Sequence, residues 1–275
     1  SMKVAAAVGL FAALVTAGTG DKSAYQVAQV QPMKLAAMEA LYEGGTHESL
    51  TVVGSIKIPE MLSFLATHST AGYVPGINNL LEGGYTLPDG STALSADEKM
   101  VNGKKAITAL ADFRRAKEEG DEASMQIARS ALKEYMPYFG YGYIQNKEDL
   151  VPHVGLLFWS FRVMVGLGMY FILFFLVILF LVWKKRLAEL NWLHWISLWS
   201  IPLAYIASQA GWIVAEMGRQ PWTIQDLLPV NAAVSKLETG SVQTTFFIFL
   251  IMFTVLLIAE IGIMVKAIRK GPDEK

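Results

Sequence analysis

Long apolar stretches alternate with polar ones along this chain, and the apolar ones have the length that a bilayer demands. A hydrocarbon core of about 30 Å needs roughly 20 apolar residues in helix. Residues 163–183 supply 21 consecutive uncharged positions, with an apolar lead-in from residue 156 that only Arg162 interrupts. Residues 192–215 form a second window whose only ionisable group is His194, and residues 242–265 a third that only Glu260 interrupts. Residues 4–19 (VAAAVGLFAALVTAGT) form a shorter, small-residue-rich window behind Met2 and Lys3, which is also the pattern of a secretory signal peptide. The sequence thus predicts an all-α integral membrane protein of four transmembrane helices, at residues 3–19, 153–183, 192–217 and 242–265, with a large loop between the first two.

Lys/Arg bias in short loops sets orientation. Lys184, Lys185 and Arg186 follow the second span, and Lys266, Arg269 and Lys270 follow the fourth. With both clusters in the cytoplasm, residues 20–151 and 218–241 lie outside and residues 266–275 form a cytoplasmic tail. Trp183, Trp192, Trp195 and Trp222 then fall near span ends, where interfacial aromatic belts sit. The large external segment reads as helices and turns. Met33 to Tyr42 is rich in helix formers behind Pro32, a favoured first helical residue. Residues 82–96 read as a loop, and residues 103–135 as a helical hairpin broken at Gly120.

Composition sharpens this picture. Apolar residues make up 53% of the chain and charged residues 17%, against about 25% charge in a soluble domain. Of the 47 charged side chains, 29 lie between residues 21 and 149, so the two kinds of segment face two solvents. A net charge of −1 removes the basic stripe that nucleic-acid binding needs. The absence of cysteine excludes disulfides, Cys-ligated zinc and a thiol nucleophile. The four histidines show no metal-ligand spacing, and there is no phosphate loop, G-x-S-x-G or H-E-x-x-H motif.

Ionisable groups inside a bilayer are expensive and are therefore candidates for function. Arg162 lies about one turn inside the second span, Glu216 ends the third, and Glu260 precedes the last basic cluster by six residues. Snorkelling of Arg162 and an interfacial place for Glu216 explain them equally well. Trp212, Glu216 and Arg219 share one helix face if the helix continues, with Pro221 ending it. A Glu–Arg pair is the plain reading; a haem edge flanked by an aromatic, a carboxylate and a guanidinium is the chemical one. Met164 would ordinarily be filler, but Gly166 and Gly168 beside it permit close approach of a helix or a flat cofactor.

Together these residues resemble a known family, subunit I of the bacterial cytochrome bd-type quinol oxidases. The run from Gly211 and Trp212 through Glu216 to Gly218, Arg219, Gln220, Pro221 and Trp222 is similar to its signature, as is Phe161-Arg162-Val163-Met164-Val165-Gly166. Residues 31–40 (QPMKLAAMEA) are similar to the family's quinol-binding loop, and Gly140-Tyr141-Gly142 to the end of that loop. The resemblance implies that Met164 is an axial ligand of a low-spin haem b with Arg162 beside it. It further implies that Glu216 ligates a high-spin haem b within surroundings shaped by Trp212 and Arg219, and that Lys34 and Glu39 act in quinol oxidation.

It implies a whole reaction as well: membrane quinol oxidised at the external loop, electrons passed through the haems b to haem d, and O2 reduced to water in a bacterial inner membrane. The family's subunit is longer. This chain starts at Ser1 and reads as its C-terminal portion, so the missing N-terminal half, with the histidine partner of the low-spin haem and the haem d ligands, is an expected partner, as is subunit II. The polypeptide alone is expected to be inactive. The competing reading is a non-catalytic membrane scaffold or small transporter whose first window is a cleaved signal peptide.

Overall fold

The N-terminal helix outruns the span that the sequence predicts. In the computed structural model, which describes residues 2–54, 56–187 and 190–271, α1 covers Met2–Val30 without a break. Asp21 and Lys22 stay in the helix because polarity ends a span without ending hydrogen bonding, and no proline appears before Pro32. Pro32 occupies the first turn of the next helix, α2 (Pro32–Glu39), which closes on Ala40 in the left-handed conformation. A small hairpin of β1 (Leu50–Val53) and β2 (Ile56–Ile58) follows, then α3 (Met61–Thr67) and α4 (Ile77–Glu82).

The helical hairpin consists of α5 (Ala96–Glu119) and α6 (Glu122–Tyr135). It begins seven residues earlier than residue 103, because Ser95 and Glu98 cap each other's backbone amides at the start of α5. Gly120 ends α5 at φ 73°, and Asp121 caps α6. Two 3-10 segments, Met136–Tyr143 and Lys147–Leu150, lead into α7 (Val154–Trp183), whose first turn His153 caps through its ring nitrogen. Then come α8 (Asn191–Met217), a short hairpin of β3 (Trp222–Ile224) and β4 (Leu228–Pro229), and α9 (Thr239–Lys270).

The protein is thus mainly helical, and α1, α7, α8 and α9 are each long and apolar enough to cross a membrane. Residues 272–275 of the expected cytoplasmic tail lie outside the described residues. Ser1–Ala233 form one unit and Val234–Lys275 another. Within the first, α7 packs against α1 and α8. A Cβ at Gly9 of α1 would fall 2.6 Å from the Phe175 ring of α7, so glycine permits that approach. Tyr170 of α7 and Ser200 of α8 share a 2.6 Å hydrogen bond. The core beneath α2 joins Leu35, Ala37 and Met38 to Leu62 and Ala66 of α3, Val74, Leu157 of α7 and Val214 of α8. In the second unit α9 buries none of its residues, and Glu260 lies exposed on it.

Candidate functional site

Burying α2 brings two sequence-predicted residues to two different helices. Lys34 and Glu39 stand five positions apart, so at 1.5 Å per residue they sit about 7 Å apart along the axis and on different faces. Lys34 turns to the end of α8, where its Nζ donates to the Ala215 carbonyl at 3.4 Å. A Cβ at Gly218 would stand 2.8 Å from Lys34 Cγ, so the glycine at the end of α8 lets that side chain pass. Burial lowers the Lys34 pKa, and nearby Arg219 lowers it further against an opposing pull from Glu216.

Glu39 turns instead to α7. Its Oε2 accepts from Arg162 Nη2 at 2.9 Å, and the two side chains are 3% and 7% exposed. Arg162 also donates from Nη2 to the Thr51 carbonyl at 2.6 Å, and from Nη1 to the carbonyls of Met38 at 2.9 Å and Phe158 at 3.1 Å. Its Cζ lies 3.4 Å from the centre of the Phe158 ring. Burial pushes the Glu39 carboxyl up from 4.5 to about 7, outweighing the opposing effects of Arg162 and a backbone hydrogen bond from Thr51. Glu39 is therefore protonated well below pH 7 and ionised above it, which suits a group that takes up and releases protons.

Glu216 and Arg219 form an ion pair at the end of α8, three residues apart and about 40% exposed. Trp212 is exposed on α8 rather than packed over that pair. Met164 lies against α8, since a Cβ at Gly211 would stand 3.1 Å from its Sδ. The structure thus brings Glu39 of α2 to Arg162 of α7, sets Met164 of α7 against Gly211 of α8, and gathers Lys34, Glu216 and Arg219 at the end of α8.

These residues fit a haem-type group on chemical grounds. A thioether and a carboxylate are iron donors, and the buried Nε atoms of Arg162 and Arg219 have no hydrogen-bond partner in the protein. A buried guanidinium N–H without an acceptor is costly, and an anionic group of a cofactor is one acceptor that would satisfy it. Gly166 and Gly168 leave open space where a side chain would stand. Among the described residues, no group of three or more His, Asp or Glu side chains could hold a lone metal ion. His47 pairs with Glu60 at 3.0 Å and His68 stacks on Tyr25.

Sequence reasoning missed a second buried node. Tyr141 donates to Asp226 Oδ1 at 2.6 Å, and Trp222 meets the Tyr141 ring edge-on with centroids 5.0 Å apart. Lys99 Nζ lies 5.7 Å from the ring centre. Burial lowers the Lys99 pKa against the pull of Asp226, while burial and Asp226 hold the Tyr141 hydroxyl protonated. Here the loop after α8 is fastened to the end of the long segment before α7. The resemblance had marked Gly140-Tyr141-Gly142, but nothing marked Asp226, 85 residues away.

Comparison with known proteins identifies the family and the fold. The family model described as cytochrome bd terminal oxidase subunit I matches residues 1–272. The chain is 36% identical over 290 residues to the cytochrome bd-II ubiquinol oxidase subunit 1 of Escherichia coli (strain K12), covering 99% of this chain and 55% of that protein. It is 30% identical over 286 residues to the cytochrome bd ubiquinol oxidase subunit 1 of Bacillus subtilis (strain 168), covering 99% and 49%. Among solved structures, the bd oxidase from Geobacillus thermodenitrificans shares the fold, with a TM-score of 0.59 and 23% identity over 96% of this chain and 48% of that one. The chain spans about half the length of the curated relatives it matches. With its family model matched across nearly every residue, this chain belongs to the cytochrome bd terminal oxidase subunit I family.

Proposed function

We propose that this chain is the C-terminal part of subunit I of a bd-type terminal oxidase, and that it takes protons and electrons from membrane quinol. The observation that carries this reading is the placement of α2. Its Glu39 is ion-paired to Arg162, two residues from Met164, and its Lys34 reaches the turn of α8 that bears Glu216. One short helix therefore joins the two proposed quinol residues to α7 at Arg162 and to the turn of α8 that bears Glu216.

Oxidation of a quinol releases two electrons and two protons. The Glu39 carboxylate, ionised above about pH 7, accepts a proton from a quinol hydroxyl. Lys34, with its pKa lowered by burial, donates a hydrogen bond toward a quinone oxygen. The two groups face different helices, so they engage the ring at different stages or at different oxygens. Met164 would hold a low-spin haem b beside Arg162, and Glu216 a high-spin haem b with Trp212 and Arg219 around it. Haem bound there would supply one-electron acceptors for the quinol electrons.

The relatives' names support this substrate class, being ubiquinol oxidases in two cases and a putative menaquinol oxidase in a third. The basic clusters after α7 and at the end of α9 support an outer-side position for residues 20–151 and 218–241 in a bacterial cytoplasmic membrane. Protons from quinol are then released outside while those for water are taken from the cytoplasm. The N-terminal half of subunit I and subunit II complete the enzyme, and the chain alone is inactive.

The test is a reduced-minus-oxidised visible spectrum of membranes carrying the assembled oxidase with this sequence, compared with Met164→Leu and Glu216→Ala. The expected result is loss of the low-spin haem b band in the first and a changed high-spin signal in the second. Unaltered bands in both variants would overturn the ligand assignments.

A further inference from the structure

Arg162 is engaged more completely than a haem-side arginine would require. A guanidinium carries five N–H donors, four of them on its two terminal nitrogens. In this structure Nη1 meets the carbonyls of Met38 and Phe158, and Nη2 meets Glu39 and the Thr51 carbonyl. Only Nε is left without a partner. The two-nitrogen fork that normally grips a carboxylate from outside is therefore occupied by this chain's own groups.

The acceptors come from three segments. Met38 and Glu39 end α2, Thr51 lies in β1, and Phe158 is one turn earlier in α7. The last carbonyls of a helix lack intrahelical partners. Ala40 closes α2 by donating to the carbonyls of Ala36 and Ala37, so the Met38 carbonyl falls to Arg162. The Phe158 ring centre lies 3.4 Å from the guanidinium Cζ, a cation–π contact that adds to the hold on Arg162. Among the described residues, Arg162 is the charged side chain that the Glu39 carboxylate meets; β1 contributes Thr51 backbone, and Lys34 turns away to α8.

We infer that Arg162 is a positioning residue of the quinol site, stapling the end of α2 and β1 to α7 and fixing where the Glu39 carboxylate stands. This rests on the reading of Glu39 as the proton acceptor in quinol oxidation. Lysine cannot replace it fully, because an ammonium has three donors on one atom and cannot reach acceptors spread across a planar fork.

The experiment uses the assembled oxidase with Arg162→Gln, Arg162→Lys, Glu39→Gln and the Arg162→Gln/Glu39→Gln pair. Quinol KM and kcat are measured across pH 5–9 beside the reduced-minus-oxidised spectrum. Arg162→Gln is expected to keep the low-spin haem b band while kcat falls about 10²-fold. Its activity should rise with pH later than in the parent, because desolvation of Glu39 then acts without the opposing charge. Arg162→Lys should show the same displacement, smaller, and carries the test if Arg162→Gln does not assemble. Glu39→Gln should lose the rise, and the double variant should be no worse than the more damaged single one. A low-spin band lost with an undisplaced pH profile, or losses that multiply in the double variant, would overturn the inference. Parent-like turnover by Glu39→Gln would sink the proton-acceptor reading itself, whatever Arg162 does.

Discussion

Two Glu–Arg pairs stand at the proposed site, and their settings are opposite. Glu39 and Arg162 are 3% and 7% exposed, 123 residues apart in sequence, and surrounded by backbone acceptors from three segments. Glu216 and Arg219 are 40% and 41% exposed and three residues apart on one helix end. The first pair is a tertiary joint whose two halves meet only when the segment between α1 and α7 is folded onto α7. The second is a local pair that α8 can form alone. The same two residue types thus serve docking in one place and leave side chains accessible in the other.

The largest expected effect follows from breaking the buried pair from one side. Glu39→Ala leaves the Arg162 charge buried and uncompensated, at a cost of about 3–5 kcal/mol. Intact, the pair stabilises far less than that figure suggests. Burial raises the Glu39 carboxyl from 4.5 to about 7, so the docked state holds its proton more tightly than the undocked one. Docking is then strongest below about pH 4.5 and weakens as pH rises through about 7. Hydrogen exchange at the amides of α2 and β1 measures both effects: faster exchange in Glu39→Ala, and in the parent faster opening at pH 8 than at pH 5 after correction for intrinsic rates. Equal protection in variant and parent would mean that the joint does not hold the segment.

A smaller effect is expected at the part-buried Tyr141–Asp226 node, which, like the first pair, joins segments far apart in sequence. Tyr141→Phe keeps the ring against Trp222 and removes one hydrogen bond to a carboxylate, worth about 1.5–3 kcal/mol. The readout is protease nicking of residues 221–231, faster in the variant. Among the described residues the node shares no hydrogen-bond or ion-pair partner with Glu39 and Arg162, so its effect should add to that of Glu39→Ala rather than couple with it.

Much of this was legible in the sequence, for identifiable reasons. Apolar length marked the spanning helices, Pro32 marked the start of α2, and Gly120 marked the break between α5 and α6, because each acts through local chemistry. Arg162 stood out because a charge in an apolar run is costly wherever it points. What it points at was invisible. The carbonyls of Met38 and Thr51 carry no side-chain signature, and any residue could have supplied them. Asp226 escaped for a related reason: a lone aspartate in a turn becomes notable only when Tyr141 arrives from 85 residues away. The opposite turns of Lys34 and Glu39 were hidden as well. Their shared helix is readable, but which helix each one meets depends on how α2 is buried.

The smallest stability change is expected at the exposed pair, and it is also the most informative for chemistry. Arg219→Gln removes a half-exposed partner of Glu216, and exposed pairs contribute about 0–1 kcal/mol. Folding and the low-spin band should therefore be unchanged. The high-spin signal should change, since the proposed ligand loses the cation that sets its charge. If thermal stability falls as far as in Glu39→Ala, the pair is a buried joint like the first, and the contrast between the two regions fails. If neither stability nor the high-spin signal moves, Arg219 does not shape the surroundings of Glu216. A spectral change without a stability change is the outcome that separates the two pairs, one built to hold the segment down and the other left open to a ligand.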